Sequence, residues 1–202
     1  MARLHDDRGA VVQRFEATSG RVTGWLTVVL STCLVVAGLA YLDEGFPAWV
    51  AAAGLLVGVL AWAAMLRPAL WATEEHLVMR TLGETVHVRL ASIEELAVRQ
   101  VLAVRAGDRR LVSTVVGRSW RKALTSRGSG AGADGPHEGM PYADWAEHRL
   151  HELVDAARAR AGVRAGSKEQ LALPDAVRRE PDPLPLAAIA VAAVLLVVSF
   201  LV

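Results

Sequence analysis

The hydrophobic and polar positions divide the chain into two long apolar runs, a stretch of alternating residues, an amphipathic segment and a final apolar run. The first two runs, 25–42 and 47–66, carry no charged residue and are separated only by residues 43–46. A helix rises ~1.5 Å per residue and the hydrocarbon core of a bilayer is ~30 Å thick, so about 20 apolar residues cross it. Because lipid offers no partner for backbone polar groups, such runs must be helical. The pattern predicts a tight hairpin of two transmembrane helices, 25–66.

Apolar runs of this kind also occur in soluble cores and in signal peptides. Core helices of a soluble protein would show a polar face at every third or fourth residue, and the polar interruptions here are only Thr27, Ser31, Thr32 and Cys33. A secretory signal peptide ending near residues 38–40 would have a shorter apolar run and a leader without this mixture of acidic and basic residues. The pattern therefore favours membrane helices.

The charges that flank the hairpin predict its orientation. The turn carries Asp43 and Glu44 and no Lys or Arg, whereas Arg67 directly follows the second run. Lys and Arg are retained on the cytoplasmic side during insertion. We therefore expect both ends of the hairpin to be cytoplasmic, with residues 1–24 forming a polar arm that is disordered or lies on the membrane surface.

Beyond the hairpin, period-two alternation predicts a small antiparallel sheet within residues 67–123. Turn-forming residues separate its apolar stretches. The predicted strands are 70–73, 76–80, 86–90, 96–105 and 111–116. Because a sheet of this size must bury its apolar face, it needs a cover, and a helix is the natural one.

The predicted cover is an amphipathic helix over residues 141–162, with a Gly-rich flexible loop at 124–140 before it. Trp145, Leu150 and Leu153 recur near helical spacing, and charged residues occupy the other faces. The sequence predicts that this helix packs on the sheet.

A polar linker is predicted at 163–183, and the last run, 184–202, is uncharged. Its nineteen residues predict a third transmembrane helix, with the C-terminus outside. The predicted fold class is therefore a membrane α+β protein: an N-terminal helical hairpin, a small antiparallel sheet with an amphipathic helix, and a third transmembrane helix.

The order of hairpin and strands resembles a known bacterial family. The residues that carry the resemblance are Arg67-Pro68, Leu70-Trp71-Ala72-Thr73, Leu77-Val78-Met79-Arg80, Val86-His87-Val88, Ile93-Glu94, Val98 and Val104-Arg105-Ala106-Gly107-Asp108-Arg109-Arg110. They look like the PH-like domains of actinobacterial membrane proteins of the low molecular weight protein antigen 6 PH-domain type. The resemblance implies a pleckstrin-homology-like sheet or half barrel at the membrane and no catalytic residues. A complete barrel of that type has seven strands and a closing helix, whereas the pattern here gives five strands.

The candidate binding residues form a basic run that is opposed in sequence only by Asp108. They are Arg105, Arg109, Arg110, Arg118, Trp120, Arg121 and Lys122. Beside an anionic leaflet each basic residue contributes ~1 kcal/mol, within a Debye length of about 8–10 Å. The run predicts a surface for anionic lipid headgroups or a protein partner; the alternative is a solvated loop that only obeys the positive-inside rule.

Small residues in the apolar runs are candidates for helix packing. Gly54 and Gly58 form a Gly-x-x-x-Gly pair, which lets two helix backbones approach closely, and Ala188 and Ala192 lie in the last run. The glycine pair is expected to pack against the first helix of the hairpin; a contact with another subunit is the alternative.

The remaining motifs predict no catalytic, metal or cofactor site. His148 and His151 share a helix face but lack the further ligands that zinc requires. The apolar runs hold no ionisable residue for a transport path, and no phosphate loop, nucleophile elbow or zinc-protease motif occurs. A net charge of +1 without a nucleic-acid-binding motif argues against nucleic acid.

The predicted function follows from the membrane helices and the strand-rich stretch. We expect a non-catalytic docking or scaffold module of the inner (plasma) membrane, multi-pass, with its N-terminus and PH-like domain cytoplasmic. Its expected partners are membrane lipids, anionic ones in particular, and a protein in the membrane. The alternative is an accessory or assembly subunit of a larger membrane complex.

Overall fold

The computed structural model describes residues 5–6, 9–17, 20–117 and 141–201. The helices are α1 (Arg21–Ala40), α2 (Ala48–Ala61, continued by a π-helical turn at Trp62–Leu66), α3 (Tyr142–Ala161), α4 (Lys168–Leu171) and α5 (Pro183–Ser199). The strands are β1 (His5–Asp6), β2 (Gly9–Phe15), β3 (Ala69–Thr73), β4 (His76–Arg80), β5 (Glu84–Arg89), β6 (Ile93–Val98), β7 (Leu102–Ala106), β8 (Arg109–Ser113) and β9 (Val177–Pro181). The architecture is α+β, as predicted.

The chain forms two compact units. The β-rich unit takes the described residues within 1–19, 69–80 and 86–179, and the helical unit takes those within 20–68, 81–85 and 180–202. The chain passes between the units more than once, so neither unit is a single continuous segment.

In the helical unit, α1 and α2 form the predicted hairpin. Their buried positions are small residues, namely Gly24, Ser31, Gly38, Ala51, Gly54 and Ala61. Those of α1 recur every seven residues, the spacing that keeps one seam of a helix against its neighbour. A Cβ at Gly38 would lie 2.5 Å from the Ala51 Cβ, so this contact requires glycine.

Both helices of the hairpin are long and apolar enough to cross a membrane. They comprise 20 and 19 residues, the second including the π-helical turn. Only 17% of the residues in the most apolar stretch of each helix are buried. A core helix of a soluble protein would be mostly buried. The side chains exposed on α1 are instead large and apolar, Leu26, Leu30 and Val36 among them.

The prediction of a nineteen-residue third span was wrong in its length. α5 has 17 residues and ends at Ser199, whose hydroxyl donates a hydrogen bond to the Leu196 carbonyl oxygen. At ~1.5 Å per residue it extends about 26 Å, less than the ~30 Å hydrocarbon core. Hydropathy extended the predicted run to residue 202 because Phe200 and Leu201 are apolar although they form a turn.

The strands of the β-rich unit form two sheets. The larger has the order β1-β2-β3-β4-β5-β9 and the smaller the order β6-β7-β8. The antiparallel pairs are β1–β2, β2–β3, β3–β4, β6–β7 and β7–β8, and an antiparallel sheet was predicted. Alternation placed three strands close to their observed bounds, and their core residues Leu70, Leu77 and Val88 are fully buried. Val78 and His87, on the other faces of β4 and β5, are buried as well.

The prediction of an arm without regular structure was wrong for residues 9–15. These residues form β2, which pairs with β3 so that Phe15 lies opposite Leu70. Phe15 is 3% exposed and belongs to the core. The pattern did not show this strand because its partner follows the hairpin, far along the chain.

The prediction of one strand over 96–105 was also wrong. A turn at 99–101 divides it into β6 and β7, closed by a hydrogen bond from the Arg99 N–H to the Val101 carbonyl oxygen. Arg99-Gln100-Val101 holds none of the Gly, Pro, Asn or Asp residues that mark turns. The last predicted strand, 111–116, is β8 and begins two residues earlier, at Arg109.

Residues 163–183, predicted as a linker, contain α4 and β9. Gln170 on α4 is 1% exposed, and its Nε2 donates hydrogen bonds to the carbonyl oxygens of Ala91 at 3.0 Å and Ile93 at 2.9 Å. Its Oε1 accepts from the Gly166 N–H at 2.7 Å. A buried polar clamp of this kind fixes the segment without any apolar periodicity.

The helix α3 covers one side of this core, within the predicted range of 141–162. Leu150, Leu153 and Val154 are buried in the same cluster as the strand residues. Its last turn carries Arg158, which donates to the Ile93 carbonyl oxygen at 2.6 Å, and Gly162 ends it at a φ of 67°. The predicted loop at 124–140 lies outside the described residues.

Candidate binding surface

The described part of the predicted basic run lies on the β6-β7-β8 sheet. Cross-strand register sets two rows on one face: Glu95, Arg105 and Arg110 form the first row, and Ala97, Ala103 and Val112 form the second. The opposite face carries Leu96, Val104 and Leu111 against the core. Because alternate residues point to opposite faces, the first two rows form the outer face of this sheet. We call these six residues the outer face.

The outer face is mixed in charge; its charged residues and Val112 are exposed, whereas Ala97 and Ala103 are half-buried. Val112 is 49% exposed, and the side chains of Glu95 and Arg105 are 74% and 52% exposed. Arg105 Nη1 lies 3.8 Å from Glu95 Oε1, and its Nε lies 3.9 Å from Glu94 Oε2. Strand pairing thus brings two carboxylates from outside the basic run beside Arg105, in addition to Asp108 within the run.

The turn between β7 and β8 carries Asp108 and is followed by two arginines. Gly107 has a φ of 59°, and its N–H donates to Glu94 Oε1 at 2.7 Å, which fixes the turn. Arg109 and Arg110 follow and are exposed. Among the described residues, neither arginine lies within ion-pair distance of a carboxylate. Arg118, Trp120, Arg121 and Lys122 lie outside the described residues.

The predicted packing residues all lie against helices of this chain. A Cβ at Gly54 would lie 3.0 Å from Leu34 Cδ2, and one at Gly58 would lie 3.0 Å from Ser31 Cβ, both on α1. On α5, Ala192 is 1% exposed and Ala188 is half-buried, and this helix packs against α2. These small faces are thus occupied within the helical unit.

Both ends of α5 contact residues at the two ends of the second helix of the hairpin. At its start, the Arg67 guanidinium donates to the Asp182 carboxylate, and Arg67 also lies 5.2 Å above the Trp62 ring. At its far end, the Phe200 ring stacks on Trp49 at 5.8 Å. α5 therefore runs alongside α2 over the length of both helices.

The N-terminal strand is held to α3 by an aromatic cluster that sequence reasoning missed. Phe15 lies 6.3 Å from Trp145, and Tyr142 lies 5.4 Å from Trp145. The Tyr142 hydroxyl accepts a hydrogen bond from the Glu16 N–H at 2.6 Å. Burial raises the pKa of Tyr142, and the Glu16 carboxylate adds to that rise, while the hydrogen bond from the Glu16 backbone opposes it.

Polar side chains also gather at two other places in the β-rich unit. A cavity of about 150 Å³ is lined by Glu74, Arg89 and Arg160, but Arg160 already donates to the Glu74 carbonyl oxygen at 2.7 Å. On α3, His148 lies 3.4 Å from Glu152, whose pKa is lowered chiefly by its hydrogen bond from Arg149. No group of three metal-ligating side chains occurs in the described ranges.

Comparison with protein families, with curated proteins and with solved structures gives no match for this chain.

Proposed function

We propose that this chain is a non-catalytic docking module of the inner (plasma) membrane, anchored by its apolar helices, with a pleckstrin-homology-like β-rich unit in the cytoplasm. The observation that carries the anchoring is the exposure of large apolar side chains along two span-length helices. Water would make such a surface costly, because each exposed Å² of apolar area forgoes about 25 cal/mol.

The strand pairing supports placing both ends of the hairpin on one side. Phe15 precedes α1 and Leu70 follows the second helix, yet they are direct neighbours in adjacent strands. A contact at Gly24 supports the same placement, because a Cβ there would lie 2.9 Å from Met65 Cβ. Gly24 lies near the start of α1, and Met65 lies in the π-helical turn that ends the second helix. Arg21 and Arg67 mark this end and Asp43 the other, so the positive-inside rule makes the arginine end cytoplasmic.

The strand order supports the pleckstrin-homology-like proposal. Strands β2 to β5 are consecutive neighbours in one sheet, and β6 to β8 are consecutive neighbours in another, with α3 following. These seven strands and α3 match the number that the resemblance implies, and β1 and β9 add one edge strand on each side of the larger sheet. The hairpin is then an insertion between the first and second strands. Because a fold does not define a function, the binding role is argued from the surface residues.

The contacts at the two ends of α5 support the proposal that this helix makes a third membrane crossing. Asp182 is level with Arg67 and Phe200 is level with Trp49, so α5 and its flanking turns extend over the same height as α2. Tight packing against a longer helix lets a short helix cross where the bilayer thins to meet it. The C-terminus is then outside.

Cysteine labelling of the full chain in a Cys33→Ser background tests the topology. Single cysteines replace Asp43 in the hairpin turn and Leu171 on α4, which is 59% exposed in the β-rich unit, and a membrane-impermeant maleimide is added to intact cells. We expect labelling of Asp43→Cys at once and of Leu171→Cys only after permeabilisation. Labelling of Leu171→Cys in intact cells, or recovery of the chain in the soluble fraction, contradicts the proposal.

Anionic lipid is the proposed ligand of the turn between β7 and β8, together with Arg118, Trp120, Arg121 and Lys122. Hydrogen exchange of the full chain in nanodiscs tests this proposal. We expect the amides of residues 107–110 to exchange more slowly in anionic than in neutral lipid. Arg109→Glu should abolish that difference, whereas Arg164→Glu, an exposed arginine elsewhere in the unit, should preserve it. Equal exchange in both lipids contradicts a lipid contact here.

A further inference from the structure

The outer face has a layout that matches a copy of itself. In the first row, Glu95 is negative and Arg105 and Arg110 are positive. In the second row, Ala97 and Ala103 are small and Val112 is larger. Consider two copies that face each other across a two-fold axis parallel to β7. The rotation places β6 of one copy over β8 of the other, and it leaves the position of each residue along the strand direction unchanged. It therefore brings the negative end of one row over the positive end of the other.

We infer that the outer face is a contact between two copies of this chain. In that contact Glu95 of each copy faces Arg110 of the other, Ala97 faces Val112, and Ala103 faces Ala103. A two-fold interface must be self-complementary, because one patch serves on both sides. Here charge and side-chain size are both complementary under the same rotation.

The centre of this contact is electrically balanced within each copy. Arg105 meets Arg105 near the axis, and each has the carboxylates of Glu94 and Glu95 within 3.9 Å in its own chain. Alanines in the second row let the two backbones approach closely, and sheets pack about 10 Å apart even with larger side chains. Neither copy places an unpaired charge over apolar surface.

The face is small for a free dimer. Stable interfaces bury about 800 Å² on each partner, which six residues on one sheet face do not provide. The inference rests on the proposed function at this point, because two copies anchored in one membrane meet at a high effective concentration, and a weak contact then suffices.

Chemical cross-linking of the full chain in membranes tests the geometry. In a Cys33→Ser background, Ala103→Cys lies on the axis and should form a dimer with a short bis-maleimide, because facing sheets lie about 10 Å apart and a direct disulfide needs Cα atoms within about 7 Å. Coexpressed Ala97→Cys and Val112→Cys chains should cross-link to each other more than either does to itself. The matched control is Leu171→Cys, which is 59% exposed on α4 and away from the face.

Charge exchange tests the complementarity. Glu95→Arg or Arg110→Glu alone should lower the Ala103→Cys cross-linking severalfold, because like charges then face each other. The double variant Glu95→Arg with Arg110→Glu should restore it. Equal cross-linking at residues 103 and 171, or a double variant no better than the singles, overturns the inference.

The same preparations separate this inference from the proposed function. Recovery of the chain in the soluble fraction contradicts membrane anchoring, whereas an inserted chain that cross-links no more at residue 103 than at 171 contradicts only the self-contact. Cross-linking that requires anionic lipid and ignores the charge exchange assigns the face to lipid instead, which also overturns the inference.

Discussion

Phe15 and Leu70 lie side by side in adjacent antiparallel strands, although both helices of the hairpin separate them along the chain. β2 therefore precedes the hairpin in sequence, and β3, with which it pairs, follows the hairpin. The larger sheet therefore combines residues that precede the hairpin in sequence with residues that follow it, and the pairing of β2 with β3 cannot form until both have been synthesised.

Replacing Phe15 by alanine should destabilise the β-rich unit by about 3–5 kcal/mol, the usual cost of removing a buried phenylalanine. The residue is 3% exposed and packs against Trp145. Hydrogen exchange of β3 and β4 in the full chain measures the loss. Val12→Ala on the same strand, where the side chain is 43% exposed, should cost little. Similar losses in both variants would show that Phe15 has no special role.

Replacing Gly38 by leucine should separate the two helices of the hairpin, because a Cβ there would lie 2.5 Å from Ala51 Cβ and 3.4 Å from its Cα. A Ser31→Cys, Gly58→Cys disulfide in the Cys33→Ser background reports the separation, since bonded cysteines need Cβ atoms about 3.5–4.5 Å apart. We expect the bond to form readily in the parent and poorly with Gly38→Leu. Ala40→Leu, at an exposed position, is the control. Unchanged cross-linking with Gly38→Leu would contradict the packing.

Replacing Gln170 by leucine should release α4, because the Ala91 carbonyl oxygen then loses its side-chain donor in a buried site. A buried group left without a partner costs about 1–3 kcal/mol. Faster amide exchange across residues 166–172 is the expected signal. Leu171→Ala, at an exposed position of the same helix, should leave exchange unchanged. If Gln170→Leu exchanges as the parent does, the clamp does not hold the segment.

Replacing Asp182 by alanine should loosen the start of α5, because the Arg67 guanidinium then loses its carboxylate. Their side chains are only 13% and 21% exposed, so solvent replaces the pair poorly, and the loss should be about 1–3 kcal/mol. Exchange of the amides at residues 183–186 measures it. The double variant with Arg67→Ala should cost less than the sum of the singles. Strict additivity would mean that the two side chains do not stabilise each other.

The β-rich unit should lose stability in alkaline solution through Tyr142. Burial raises the pKa of this hydroxyl above 10.0, its unfolded value, so the unfolded chain releases the proton first. Stability is therefore complete below about pH 10 and falls as the pH rises through the folded pKa. Tyr142→Phe should be less stable at pH 8, having lost the acceptor for the Glu16 N–H, but should decline less between about pH 10 and 11. Parallel decline of both proteins would contradict this role.

Local patterns were sufficient where a residue's environment depends on its sequence neighbours. Leu150 and Leu153 face the core because helical spacing places them on one side of α3, and the first two apolar runs form helices long enough to cross a membrane. Local patterns were insufficient where the environment of a residue depends on a partner that is far away in the sequence. Glu95 neutralises Arg105 only through strand pairing, and Gln170 is fixed by carbonyl groups that lie about 80 residues away in sequence.

The amino-acid sequence by itself determined the hairpin, the alternating strands and the amphipathic helix, because hydrophobic periodicity is a local property that burial requires. Only the tertiary structure decided that residues 9–15 join the sheet, that α4 is clamped by Gln170, and that Glu95 and Arg110 lie in one row across three strands. Those arrangements depend on hydrogen bonds and charges between segments far apart in sequence, and no local pattern encodes such partners.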